Sequence, residues 1–161
     1  KLALGVSYDH NNNAVKTRSN QGSYMATDNG FYETNINTLF IDAMFKYKGF
    51  SLMAEYADRD AKDPIAKNSD GTETGAIVQV GKGLNLQSGY LFKNNWEVSG
   101  RYSTVELDKT ITGVDPEKQY TLGLSKFIVG HSLKVQTDIS LIDVANRGDE
   151  VLYRLQFDIH F

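Results

Sequence analysis

The sequence predicts an all-β fold, an antiparallel transmembrane β-barrel to which this chain contributes eight strands. Segments of about 10 residues alternate between apolar and polar side chains, as in strands that have two different faces. The connections between these segments alternate between short and long. Aromatic residues are frequent, with 9 Tyr and 8 Phe against only 2 Pro, and this composition favours strands.

The composition excludes several classes of protein. Hydrophobic residues make up 40% of the chain, and no run approaches the roughly 18–20 consecutive apolar residues of a membrane helix. The net charge of −3 and the lack of a basic run predict no nucleic-acid partner. Cysteine is absent, so disulfides, thiolate metal sites and cysteine nucleophiles are excluded. The start at Lys1 predicts either a removed signal peptide or a piece that begins within a longer protein.

The first four segments in chain order each alternate with a period of two. They are LALGVSYDH (2–10), TLFIDAMFKYK (38–48), FSLMAEYADR (50–59) and LNLQSGYLF (84–92). In the first of them, Leu2, Leu4, Val6 and Tyr8 share one face. Helical spacing fits these segments less well than alternation, so each is predicted to be a strand.

The next three segments follow the same rule. They are WEVSGRYSTVEL (96–107), KQYTLGLSKFI (118–128) and SLKVQTDISLIDV (132–144). In the second, Tyr120, Leu122 and Leu124 lie on one face and Gln119 and Thr121 on the other. Each segment therefore predicts a strand with one apolar and one polar face.

The last segment, VLYRLQFDIHF (151–161), has the clearest alternation. Arg154, Gln156, Asp158 and His160 stand between apolar residues, and the length suffices to cross a bilayer along a tilted path. We expect lipid contact on the apolar face, from the side chains of Tyr153, Leu155, Phe157, Ile159 and Phe161.

The connections predict the orientation of the strands. Short turns with Gly or Asn are expected at 48–49, at 93–95 and near 130–131, as hairpins require. Longer connections are expected at about 11–36, 60–83, 109–118 and 145–150, within a single domain spanning 1–161. Outer-membrane barrels have short periplasmic turns and long outer loops. Loop 11–36 either constricts the lumen or lies on the outer surface, and the surface position is the preferred interpretation.

Alternation also fits a soluble antiparallel barrel or sandwich that binds a ligand. Three features favour a membrane instead. The polar face is rich in Gly, Ser, Thr, Asn and Gln and carries few charges for each strand. Aromatic residues cluster near strand ends, where membrane barrels have aromatic girdles. The alternation of short and long connections has no reason to exist in a soluble barrel.

The polar face supplies candidate pore-lining charges, five basic and five acidic: Lys46, Arg59, Arg101, Lys134, Arg154, Asp42, Glu55, Glu97, Asp138 and Asp158. His160 lies on the same face of its segment. Rings of Lys or Arg favour anions and rings of Asp or Glu favour cations, so this balance argues against strong selectivity. The alternative is that these charges form structural salt bridges between neighbouring strands. Arg101 and Arg154 are the best candidates to hold an anion, because the guanidinium is planar and always charged.

No catalytic, metal or cofactor site is expected. The three histidines, His10, His131 and His160, fall at different ends of the predicted strands and do not converge on a dyad. The run NSDGTETG (68–75) lacks the spacing and closing Glu of an EF-hand.

The runs GLNLQSGYLFKNNWEVSGRYS, EKQYTLGLSKFIVGHSLKVQTDIS and YRLQFDIHF resemble the carboxy-terminal part of the phosphate-selective porin O/P family of Bacteroidetes-type Gram-negative bacteria. The resemblance is clearest over 83–161. It implies an outer-membrane homotrimer, a barrel of about 16–18 strands with an aqueous channel, and recognition of the terminal strand by the barrel-assembly machinery. The expected function is passive diffusion of small hydrophilic or anionic solutes. A small eight-stranded barrel with a structural or adhesion role is the alternative.

Overall fold

The computed structural model describes residues 1–130 and 132–160. One four-residue helical turn, α1, spans Lys109–Thr112. The strands are β1 Leu2–Ala14, β2 Lys16–Arg18, β3 Gln21–Tyr24, β4 Ala26–Thr27, β5 Gly30–Phe31, β6 Thr34–Tyr47, β7 Phe50–Ala61, β8 Ile65–Lys67, β9 Glu73–Ile77, β10 Gly81–Leu91, β11 Trp96–Leu107, β12 Glu117–Val129, β13 Leu133–Val144 and β14 Gly148–Ile159.

Eight of these strands form one antiparallel sheet, in the order β1-β6-β7-β10-β11-β12-β13-β14. The shorter strands pair as β2–β3, β4–β5 and β8–β9 within the two longest connections. The prediction of an all-β antiparallel fold with eight main strands is therefore confirmed. Among the described residues the sheet is not closed, since β1 and β14 are its two edges. In the part of the chain that the structure describes, no helix has the length and apolar character to cross a bilayer.

Each predicted segment overlaps one strand of the sheet, and several strands extend further toward the long connections. β1 continues to Ala14 and β6 begins at Thr34, so the first connection is shorter than the predicted 11–36. The extension has no apolar alternation, and main-chain pairing of Asn11 with Ile36 and of Ala14 with Thr34 maintains it. The second connection runs over 62–80 and the last over 145–147.

Two of the short turns have the backbone that hairpins require. Lys48 and Gly49 have φ angles of 45° and 88°, which match a two-residue turn with both central residues left-handed. In the second turn Asn95 has a φ of 64° and donates its N–H to the carbonyl of Phe92 at 3.0 Å. The third turn contains residue 131, which lies outside the described residues.

The register is staggered across the sheet. The row of paired residues that passes through Tyr47 and Phe50 at the first turn runs through Val98 on β11 and ends at Leu155 on β14. Leu155 lies four residues before Ile159, where β14 ends. The strands are therefore tilted relative to the line that joins the turns, as in sheets that close into barrels.

The hydrophobic core is small and lies at the end of the sheet that carries the long connections. It consists of Ala14, Met25, Ile36, Ala61, Ala66, Val78 and Val80. Ile36 and Ala61 are paired in register, in the same alternating positions as Asp42 and Glu55. The core therefore packs on the polar side of the sheet, at its long-loop end.

Candidate functional site

One face of the sheet is apolar and lies uncovered. Leu122 is 67% exposed, Leu155 63% and Tyr153 74%, and no described residue packs over them. A monomeric soluble protein rarely exposes an apolar area of this extent. Of the predicted lipid-facing residues, Tyr153, Leu155, Phe157 and Ile159 all lie on this face. Phe161 lies outside the described residues.

Aromatic and charged residues border this apolar face. At the short-turn end the aromatic residues are Tyr47, Phe50, Tyr90, Phe92 and Trp96. Toward the long loops, the rings of Tyr102 and Tyr120 lie 5.1 Å apart. Beyond the apolar positions, Asp58, Lys82 and Glu106 form one register row, in which Lys82 Nζ lies 3.9 Å from Asp58 Oδ2. The face thus carries an apolar band with aromatic residues near both ends, and charged residues lie beyond it toward the long loops.

The opposite face is polar and collects every predicted pore-lining residue. Asp42 pairs with Glu55, Asp138 with Arg154 and Lys134 with Asp158 in register. Alternation and register assign the remaining positions to this face as well: Lys46, Arg59, Glu97 and Arg101. The sequence pattern therefore identified which charges share a face, and their role in a pore stays a prediction.

Among these ten residues, one ion pair forms in the described part of the chain. Arg154 Nε lies 3.8 Å from Asp138 Oδ2. Asp138 is only 8% exposed, and its Oδ1 is buried without a hydrogen-bond partner. Lys134 and Asp158 face each other but turn to other partners, since Lys134 donates to Gln136 and Asp158 accepts from Gln156, both at 2.7 Å. The hypothesis of structural salt bridges thus describes Asp138 and Arg154.

The other charges make weaker or neutral contacts. Arg59 Nε donates to Thr38 Oγ1 at 3.1 Å. Glu55 accepts from Asn85 at 2.8 Å and lies opposite Asp42, a pairing of like charges that costs stability unless solvent or a cation screens it. Arg101 has a buried Nε without a hydrogen-bond partner, and it forms no ion pair with any described residue.

Two glycines on the polar face allow close contacts that the sequence analysis did not predict. A Cβ at Gly89 would lie 2.8 Å from Glu97 Oε1, and one at Gly5 would overlap the carboxylate of Asp42. Both acidic side chains therefore lie flat over the neighbouring strand, which a larger residue would prevent. Glycine at a polar-face position of a strand is the sequence signal for such a close approach.

The two longest connections contact each other at the long-loop end of the sheet. Asp28, in the first connection, accepts hydrogen bonds from the hydroxyl and the backbone N–H of Ser69, in the second, the latter at 2.9 Å. The backbone N–H of Asp28 donates to Asn68 Oδ1 at 3.1 Å. The bonds from Ser69 hold the pKa of Asp28 below its usual value. Through Met25 the first connection also packs on the polar side of the strand ends. Whether loop 11–36 lies on an outer surface or in a lumen stays a prediction.

Among the described residues, the histidines and carboxylates do not assemble into a further site. His10 Nδ1 lies 2.5 Å from Asn37 Oδ1 at the long-loop end, whereas His160 follows the short-turn end of β14. His131 lies outside the described residues. Over 1–130 and 132–160, no group of three or more His, Cys, Asp or Glu side chains is arranged to hold a metal ion.

Comparison of the chain with protein-family models, with curated proteins and with solved structures finds no match. The resemblance of residues 83–161 to the phosphate-selective porin O/P family therefore stays a prediction from the sequence. The apolar band and the polar face are accordingly the features on which a functional conclusion can be built.

Proposed function

We propose that this chain forms part of a transmembrane β-barrel in a bacterial outer membrane, and that the barrel is a passive aqueous channel for small hydrophilic or anionic solutes. The observation that carries the proposal is the uncovered apolar band on a sheet whose other face is polar. Leu122 at 67% and Tyr153 at 74% exposure would contact hydrocarbon in this arrangement. Burial of such area in lipid is favourable by roughly 25 cal/mol per Å².

The two open edges support a larger assembly. The outer backbone groups of β1 and β14 have no strand partner among the described residues. In a bilayer, unpaired backbone groups each cost several kcal/mol, so only closed barrels cross it as strands. Closure by further strands would accord with the predicted barrel of about 16–18 strands, which encloses an aqueous channel.

The polar face supports diffusion of small solutes without strong selectivity. It carries five basic and five acidic candidate residues, and Arg101 forms no ion pair with any described residue. An unpaired guanidinium on a channel wall attracts anions. Weak anion preference is therefore the expected property of this part of the wall.

The family resemblance extends the proposal to partners. It implies a homotrimer and recognition of the terminal strand by the barrel-assembly machinery. The residues proposed for this recognition are those on the lipid side of β14: Tyr153, Leu155, Phe157 and Ile159, followed by Phe161.

A soluble ligand-binding barrel accounts less well for the burial. Such a barrel would place its hydrophobic core on the apolar face, whereas the buried cluster around Met25, Ile36 and Val78 packs on the polar side. An eight-stranded structural barrel would need β1 to pair with β14. Among the described residues these two strands are the edges of the sheet and do not pair with each other.

The experiment for the proposed function is reconstitution of the protein in planar bilayers with recording of single-channel currents. We expect discrete conductance steps that vary linearly with voltage and with salt concentration. A folded, membrane-inserted protein that produces no conductance would contradict the channel. A protein that is monomeric and stable without detergent would contradict the membrane location itself.

A further inference from the structure

Positive charge accumulates at the short-turn end of the sheet. Six lysines lie at or near this end: Lys1, Lys46, Lys48, Lys93, Lys126 and Lys134. In the described part of the chain only two acidic residues, Glu97 and Asp158, lie there, although the chain as a whole carries a net charge of −3. The short-turn end is therefore electropositive and the long-loop end electronegative.

A concave notch opens between the first two short turns. Its volume is about 990 Å³. We call it the turn notch, and the residues that line it include Lys48, Tyr90, Phe92, Lys93 and Asn94. The rings of Tyr90 and Phe92 meet edge to face with their centroids 4.9 Å apart. Among the described residues that line the notch, none is acidic. The notch is thus lined by two lysine residues and by an aromatic wall.

Backbone contacts hold the two turns in place relative to each other. The N–H of Leu91 donates to the carbonyl of Gly49 at 2.8 Å. A Cβ at Gly49 would lie only 2.5 Å from Leu91 O, so the close approach requires glycine. On the other side, Lys126 Nζ donates to the carbonyl of Asn94 at 2.7 Å and lies 5.1 Å from the centroid of the Trp96 ring. The notch is therefore a preformed feature of the sheet.

We propose that the turn notch binds the headgroup of an anionic phospholipid. This inference rests on the membrane location proposed above. Lys48 and Lys93 would contact the lipid phosphate, and the first part of an acyl chain would lie along Tyr90 and Phe92. The position favours a lipid over a soluble anion, because the aromatic wall of the notch continues into the apolar band. Lys48 Nζ lies 5.2 Å from the centroid of the Tyr47 ring, and a lysine head beside an aromatic ring is the arrangement expected at the headgroup level.

The proposal also assigns a leaflet. The electropositive short-turn end would face the phospholipid leaflet on the periplasmic side, and the acidic loops would face outward. Basic residues near an anionic membrane surface contribute about 1 kcal/mol each, which is about fivefold in binding. The turn notch would therefore prefer anionic over zwitterionic lipid by a measurable ratio.

Trp96 allows a direct test, because it is the one tryptophan of the chain and lies beside the notch. The protein is reconstituted in vesicles of phosphatidylcholine that contain brominated phosphatidylglycerol or brominated phosphatidylcholine. Quenching of Trp96 fluorescence then reports the lipid next to the notch. We expect preferential quenching by brominated phosphatidylglycerol, and about fivefold loss of this preference in Lys48→Gln and again in Lys93→Gln.

Lys67→Gln is the matched control, because Lys67 is an exposed lysine at the long-loop end. It should leave the preference unchanged. Two results would overturn the proposed lipid binding at the turn notch without contradicting the proposed channel. These are equal quenching by both lipids in the wild-type protein and an equal loss of preference in the control variant. Quenching by neither lipid would instead contradict the membrane location, and so the two failures can be told apart.

Discussion

Asp138 on β13 lies directly opposite Arg154 on β14, with Arg154 Nε 3.8 Å from Asp138 Oδ2. The carboxylate is 8% exposed, whereas the guanidinium is about half exposed. Removal of Arg154 would leave a nearly buried negative charge without compensation. Arg154 therefore compensates the charge of Asp138, and its own positive charge stays accessible on the polar face.

Replacement of Arg154 by Gln should destabilise the protein by about 1–2 kcal/mol, less than for a fully buried pair because Arg154 is partly solvated. The measurement is urea unfolding in vesicles. The double variant Asp138→Asn/Arg154→Gln should recover part of this loss, because no buried charge remains. A double variant whose destabilisation equals the sum of those of Asp138→Asn and Arg154→Gln would show that the two side chains do not interact.

Arg101 should influence ion selectivity more than stability. It forms no ion pair with any described residue, so Arg101→Gln removes a positive charge without breaking one. We expect a shift of the reversal potential in a salt gradient toward cations, by at most about fivefold in permeability ratio. Lys67→Gln, at the long-loop end, should leave the reversal potential unchanged. A shift of equal size in this control would assign selectivity to the loops.

Leu155 and Gln156 are consecutive residues on opposite faces of β14. Replacement of Leu155 by Arg should cost roughly 2–4 kcal/mol if this position lies near the bilayer midplane, and Ile159→Arg should cost less than about 1 kcal/mol near the interface. Gln156→Arg, on the polar face, should be nearly neutral. Unfolding in vesicles measures all three. A similar cost at Leu155 and Gln156 would contradict two different solvents for the two faces.

The contact between Asp28 and Ser69 should weaken in acid. Hydrogen bonds from Ser69 lower the pKa of Asp28 below the usual value of 3.8. The contact is fully stabilising above that value and is lost as pH falls through the lower pKa of the folded protein. Hydrogen exchange at the Ser69 amide, corrected for the intrinsic rate, should rise in this range.

Two variants check the assignment to Asp28. Asp28→Asn should remove the pH-dependent step. Asp108→Asn should retain it, because Asp108 also has a lowered pKa but bonds locally to Thr110. A step that persists in Asp28→Asn would mean that another group controls the contact.

The strands were predictable because alternation requires only local sequence. Trp96 and Leu107 bound β11 in the prediction and in the structure alike. The extension of β1 to Ala14 was not predictable, because backbone pairing with β6 rather than side-chain alternation holds it. The length of the last connection was overestimated, because Asn146 and Gly148, with φ angles of 67° and 86°, allow a tight turn.

The contacts between charges depend on register, which alternation does not determine. A sequence pattern places Asp42, Glu55, Asp138 and Arg154 on one face but does not show that Asp42 opposes Glu55 while Asp138 opposes Arg154. The contact of Asp28 with Ser69 joins residues 41 positions apart in two loops and has no sequence signal.

The central claim is that the two faces of the sheet meet different solvents, and site-directed spin labelling of β14 tests it most directly. The chain has no cysteine, so each single-cysteine variant carries one label. In vesicles, labels at Tyr153, Leu155 and Phe157 should collide with oxygen, and labels at Arg154 and Gln156 with a water-soluble nickel complex. This alternation with a period of two is the predicted result. Equal access of the nickel complex to both sets of positions would contradict the account.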